Sequence, residues 1–165
     1  MIGIVTDSTC DIPDDLIRQY NITIIPHYII WGNEQFRDRV DLQPVEFYER
    51  LVRDPVYPSS SQASVMDFKQ VYEKAQAEGA TEIIMLTVSS AMSGAYQMAQ
   101  EAAKLVSIPV FPVDGKSPTM SLGWQVLAAA RARDAGMKTP HILQMLEGLK
   151  KKMVQYVYME SLEYL

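Results

Sequence analysis

Short runs of β-branched and aliphatic residues alternate with longer segments of helical periodicity along this chain, and that alternation restricts its fold more than any single motif. "MIGIVTDS" reads as a short buried strand, and "DIPDDLIRQY" as a helix opened by Asp11 as N-cap, by Pro13 and by an acidic first turn. "ITIIPHYIIW" predicts a further strand with Pro26 at a bulge or edge, and "GNEQFRDRVDL" a short hairpin. "QPVEFYERLVRD" sets Val45, Tyr48, Leu51 and Val52 on one helical face, and the loop "PVYPSSSQAS" leads from it into the helix "VMDFKQVYEKAQAEG". Strand "TEIIMLTV", helix "SGAYQMAQEAAKLV", strand "IPVFPVD" and helix "SLGWQVLAAARARDAGM" follow; a last helix, "HILQMLEGLKKK", precedes a strand, "MVQYVYME". The pattern is that of an α/β protein, a mostly parallel sheet flanked by helices.

The 165 residues suffice for one core-forming domain, and 48% apolar with 21% charged residues is the balance of a folded globular protein. A formal net charge of -5 argues against a nucleic-acid partner, since phosphate binding needs a clustered excess of Lys and Arg. The basic run Lys150, Lys151 and Lys152 reads as cations completing the C-terminal end of a helix. The single cysteine, Cys10, leaves no intramolecular disulfide and no cysteine-rich zinc site, which suits a cytoplasmic protein; with no cation near it in sequence it reads as an inert thiol. "MIGIVTDSTCDIP" lacks the basic region of a signal peptide, and no apolar run approaches the roughly 20 residues of an integral membrane segment.

Ligands of parallel α/β sheets gather at the carboxyl ends of the strands, where the following helices present free backbone N–H groups. Three hydroxyl-rich segments fall there: "TDST" (Thr6 to Thr9), "SSAMSG" (Ser89 to Gly94) and "DGKSPTMS" (Asp114 to Ser121). A fourth, "SSSQAS" (Ser59 to Ser64), immediately precedes a helix. Each alone is explained by helix capping. Together they make a receptor of hydroxyls and amides for a carboxylate, phosphate or other small anion, with Gly94 permitting close backbone approach.

Other chemistries find little support. A serine nucleophile needs a base, only His27 and His141 are available, and neither serine cluster forms a G-x-S-x-G elbow. Neither G-x-x-x-x-G-K-[ST] nor G-x-G-x-x-G occurs. His27, after Pro26 in an apolar strand, reads as structural, and two histidines so far apart make a poor metal site. Asp11, Asp14 and Asp15 are explained by helix capping and the helix dipole, whereas Asp7, at a strand end, is placed to orient neighbouring hydroxyls. Among the ten methionines, Met92 and Met120, with Trp124, are candidates for an apolar tunnel, against ordinary core filling.

The segments "IVTDSTCDIP", "FRDRVDL", "SSSQAS", "SSAMSGAYQMA", "VDGKSPTMSLG" and the terminal "LEYL", in that order and spacing, resemble the DegV family of bacterial fatty-acid-binding proteins over nearly the whole chain. The resemblance implies a non-catalytic lipid carrier. It would bind a fatty acid of fourteen to eighteen carbons in an apolar tunnel and offer the carboxylate to a separate fatty acid kinase for acyl-phosphate formation. By the same resemblance Ser60, Ser61, Ser90, Ser93 and Gly94 hold the carboxylate, supported by Asp7, Ser8, Thr9, Gln62 and Ser117, with no metal or cofactor. The family's threonine hydroxyl is matched by Ser60, its following proline by Ala63, and the threonine after Ser93 and Gly94 by Ala95. Residues 1–165 are expected to form a single DegV-like domain, the family's second domain being absent or truncated after residue 165. The alternative is an enzyme acting on a small phosphate- or carboxylate-bearing substrate through the same loops, for which no residue set supplies a general base.

Overall fold

The computed structural model describes residues 1–160. Strand β1 (Ile2–Asp7), a 3-10 turn (Ser8–Cys10) and helix α1 (Asp14–Gln19) open the chain, followed by β2 (Ile22–Ile25), β3 (Tyr28–Trp31), β4 (Glu34–Arg37) and helix α2 (Pro44–Arg53). Strand β5 (Ser59–Ser61), helix α3 (Val65–Ala77), β6 (Glu82–Thr87), α4 (Ala95–Ala103), β7 (Val110–Asp114), α5 (Thr119–Asp134) and α6 (Thr139–Lys150) complete it.

The main sheet is parallel throughout, in the order β2-β1-β6-β7. Successive residues of its central strands face opposite sides, so each strand feeds two cores. Ile4, Ile84 and Leu86 pack with Leu122, Val126 and Leu127 of α5 and Ile142 and Leu146 of α6. Val5, Ile83 and Met85 pack on the other side with Phe68 and Tyr72 of α3 and Ala95, Ala99 and Ala102 of α4. The mostly parallel sheet flanked by helices is therefore the fold, as the alternation requires.

The expected single strand over "ITIIPHYIIW" is instead two strands in different sheets. Pro26 has no N–H to continue the β2 ladder, and the chain turns away there. His27 N donates to Ser8 Oγ (3.1 Å) and its carbonyl accepts from Asp38 N (2.9 Å). Beyond it β3 is the middle of an antiparallel sheet, β4-β3-β5. The two-residue link Gly32-Asn33 joins β3 to β4, Gly32 taking a φ of +60° that favours glycine. The serines 59 to 61, expected in a loop, form the edge strand β5, paired through Ile30 opposite Ser59, Ile29 opposite Ser60 and Tyr28 opposite Ser61.

Two further expectations are corrected, and the apolar face of one helix is found uncovered. Asp11 does not cap α1: it closes the 3-10 turn in the left-handed region (φ 51°), and Pro13 occupies the N-cap. The apolar face of α2 is not in the core, since Val45, Tyr48 and Val52 are exposed, and the helix docks instead through Phe47, edge-on to Trp31 at 5.5 Å, and Arg50, 4.5 Å over the Trp31 ring. "MVQYVYME" forms no strand; Val154, Tyr156 and Tyr158 stand exposed, because a strand without a hydrogen-bonded neighbour gains nothing over water. The final "LEYL" lies outside the described residues.

Candidate functional site

In the strand order β2-β1-β6-β7 the chain runs from β1 to one side and returns on the other, so the crevice between the ends of β1 and β6 is the switch point where such sheets bind ligands. Asp7 sits at that point, fully buried. Its Oδ1 accepts from Thr9 N (3.1 Å) and Thr9 Oγ1 (2.6 Å), and its Oδ2 accepts from Val88 N (2.7 Å), stitching the loop after β1 to the loop after β6.

Asp114, ending β7, performs the equivalent task one strand along. It accepts from Ser90 N (3.1 Å), the Ser90 hydroxyl, Lys116 N (2.9 Å) and Lys116 Nζ (2.9 Å). Burial would raise its pKa, but the hydrogen bonds from Ser90 and Lys116 outweigh that and hold it at about 2. Lys150, in the last turn of α6, donates to the Asp114 carbonyl (3.2 Å).

Within the loop after β6, Ser89 Oγ accepts from Ala91 N (3.3 Å) and Ser93 Oγ from Ala95 N (3.2 Å), which opens α4. A Cβ on Gly94 would stand 3.1 Å from Gln62 Nε2, so the absent side chain lets the Gln62 amide lie over the Gly94 backbone. That contact joins "SSSQAS" to "SSAMSG". Ser117 is turned inward, donating to Gly115 O (3.0 Å) and accepting from Gln125 Nε2 (3.2 Å).

Beside the switch point lies an open cleft of about 770 Å³, between the 3-10 turn, the small sheet and α2. Ser8, Thr9, His27, Ser59 and Ser60 give it polar walls, and Ile12, Ile29 and Phe47 apolar ones. Its volume is in the usual range for small-molecule sites, about 300–1,000 Å³. Of the sequence-derived residues, Ser8, Thr9 and Ser60 line this cleft; Ser61, Ser90, Ser93, Gly94, Gln62 and Ser117 do not, and Asp7 lies buried behind it. Met92, Met120 and Trp124 are also absent from its walls: Met92 and Trp124 are exposed, and Met120, in the first turn of α5, packs against the core. A second depression, about 540 Å³, is lined by Glu46, Glu49, Arg50, Arg53, Asp54 and Pro55, too charged to hold an acyl chain.

Two cleft residues escaped the sequence reasoning. Arg39 holds a left-handed backbone (φ 62°) and reaches back, Nη2 donating to Ile12 O (2.9 Å) and pairing with Asp14. His27 lines the cleft because Pro26 turns the chain between sheets. The Pro-His step inside an apolar run was the available signal. Among the described residues no cluster of His, Cys, Asp and Glu could hold a metal ion, and no helix is long and apolar enough to cross a membrane.

A family model described as "Uncharacterised protein, DegV family" matches residues 1–165. The chain is 32% identical over 168 residues to a fatty acid-binding protein of Thermotoga maritima, an alignment covering 99% of this chain and 58% of that protein. The crystal structure of DegV, a fatty acid binding protein from Bacillus subtilis, superposes with a TM-score of 0.86 at 29% identity, over 91% of this chain and 54% of that one. A stearic acid-binding protein from Eubacterium ventriosum gives 0.83 at 27% identity, over 89% and 52%. The chain spans 53–58% of the length of the first curated relatives it matches.

Proposed function

The chain belongs to the DegV family, and from that membership we propose that it binds a long-chain fatty acid, of fourteen to eighteen carbons, and presents the carboxylate to a separate fatty acid kinase for acyl-phosphate formation. The observation that carries this reading is the cleft beside the switch point, whose walls combine Ser8, Ser59 and Ser60 with Ile12, Ile29 and Phe47. Hydroxyls and amides hold a carboxylate without a fixed counter-charge. Each methylene removed from water along the apolar wall contributes about 0.8 kcal/mol.

On this reading the head group enters the cleft at Ser60, and Ser61, Ser90, Ser93 and the Gly94 amide, which lie outside its walls in this structure, would complete the receptor around the bound carboxylate. Asp7, Ser8, Thr9, Gln62 and Ser117 fix the loops that present them, and the bonds of Asp7 to Thr9 and Val88 and the Gln62 contact with Gly94 support that division. Residues 1–165 act as one α/β unit, and a second domain like that of the longer family members would close over the ligand. The protein is a carrier rather than an enzyme: the kinase supplies the nucleotide phosphate, and both work in the cytoplasm.

Native mass spectrometry of the purified protein, followed by denaturation and identification of whatever is released, tests the reading. A stoichiometric fatty acid of fourteen to eighteen carbons is expected. In Ser93→Ala, loss of a hydrogen bond to a charged group should weaken retention about tenfold or more. An empty protein that also fails to take up added oleate would overturn the proposal.

A further inference from the structure

His27 is the residue of this cleft whose chemistry is unspent. It is 9% exposed and lines the cleft beside Ser8, Ser59 and Ser60. Its Nε2 is buried and has no hydrogen-bond partner among the described residues, yet lies 3.8 Å from Asp7 Oδ2. Asp7 in turn is wholly buried, and its hydrogen-bond donors, Thr9 N, Thr9 Oγ1 and Val88 N, are all neutral. Buried polar atoms are nearly always paired, so a ring nitrogen stopping just short of a buried carboxylate needs a reason.

The charged groups of the cleft supply one. Asp7 approaches from β1, and Asp11 comes from the end of the 3-10 turn. Asp38 and Arg39 come from the loop after β4, and Tyr28 and Tyr48 from β3 and α2. From β5 come only Ser59 and Ser60. Arg39 is committed to Ile12 O and Asp14. A carboxylate entering at Ser8 and Ser60 therefore meets a site bordered by Asp7, Asp11 and Asp38, whose one cation among the described residues, Arg39, is paired with Asp14. Bringing a further negative charge into partly buried surroundings is costly unless a positive charge appears with it. Imidazole is the side chain whose ordinary titration lies close enough to neutrality to provide it.

We propose that His27 takes up a proton as an anionic head group enters the cleft, its Nε2–H directed at Asp7 and its positive charge facing the ligand, so that fatty-acid binding is proton-linked. This rests on the fatty-acid reading and adds the residue that supplies its counter-charge. The histidine is a positioning and charge-balancing residue, and no bond of the ligand is made or broken at it.

Isothermal titration of the full chain with laurate, below its micellar concentration, at pH 7.5 in phosphate and in Tris tests the linkage. Proton uptake draws the proton from the buffer, so the apparent binding enthalpy should differ between the two by up to the difference in their ionisation enthalpies. Affinity should fall by up to about tenfold per pH unit as pH rises above neutrality. His27→Gln should bind laurate more weakly and with one enthalpy in both buffers. Laurate binding by the parent with the same enthalpy in both buffers, and an affinity flat from pH 6 to 8, would overturn the proton linkage while leaving the fatty-acid reading standing. No binding of laurate in either buffer, together with no uptake of myristate, would overturn both.

Discussion

Two carboxylates at the end of the main sheet do most of the work of holding the candidate site in shape. Asp7 joins the loops after β1 and β6, and Asp114 those after β6 and β7, each by accepting several hydrogen bonds at once. Because hydrogen bonds from Ser90 and Lys116 overcome the effect of burial and hold the folded-state pKa of Asp114 at about 2, below its ordinary 3.8, the direction of its pH effect follows. Its contribution to stability is complete above the ordinary value and is lost as pH falls from about 4 to about 2. Urea denaturation between pH 2 and 5 should show a steeper loss of stability in the parent than in Asp114→Asn, which has no such proton to bind. An identical pH dependence in both would contradict the role given to Asp114. Cys10 makes the opposite case: burial pushes its thiol up to about 11, so it stays protonated near neutrality and serves as core.

At the scale of elements, α5 shows how closely a helix is seated beneath these loops. A Cβ at Gly123 would come within 2.4 Å of Cys10 O, a backbone atom of the 3-10 turn that follows β1. Gly123→Ala therefore must push α5 or the turn aside. We expect a loss of about 1–3 kcal/mol, read from the urea midpoint, because the clash outweighs any gain in helix propensity. A variant as stable as the parent would mean that the turn yields freely. Helix α2 behaves differently. Its periodicity is as clear in sequence as that of α3, yet Val52 is 87% exposed while Phe68 and Tyr72 are fully buried. Periodicity shows that a face exists and leaves open whether another element covers it. The same gap explains residues 153 to 160, whose β-branched and aromatic content predicts a strand but which lack a ladder partner.

For the whole molecule, the division into a parallel sheet buried on both sides and a small antiparallel sheet at its edge implies unequal local stability. Amide exchange followed by mass spectrometry should find the slowest amides in β1, β6 and α5, whose residues fill the two cores, and faster exchange in α2, in which no residue is buried. Equal protection across both regions would mean that the cleft wall is as cooperative as the core. The layered α/β core was legible in the chain itself, because runs such as "EIIMLT" and "MLTVSS" carry local signals: apolar strands, then hydroxyls where a helix must begin. Those signals act between near neighbours, so Asp7, Ser90, Ser93 and Gly94 could be picked out as candidates one by one. Sequence alone did not say that Pro26 separates two sheets, that Ser59–Ser61 pair with β3, or that His27 and Arg39 border a cleft with Ser60. Those facts depend on pairings between segments tens of residues apart, whose free energy comes from the backbone bonds and side-chain burial of the assembled molecule rather than from the local pattern of either segment.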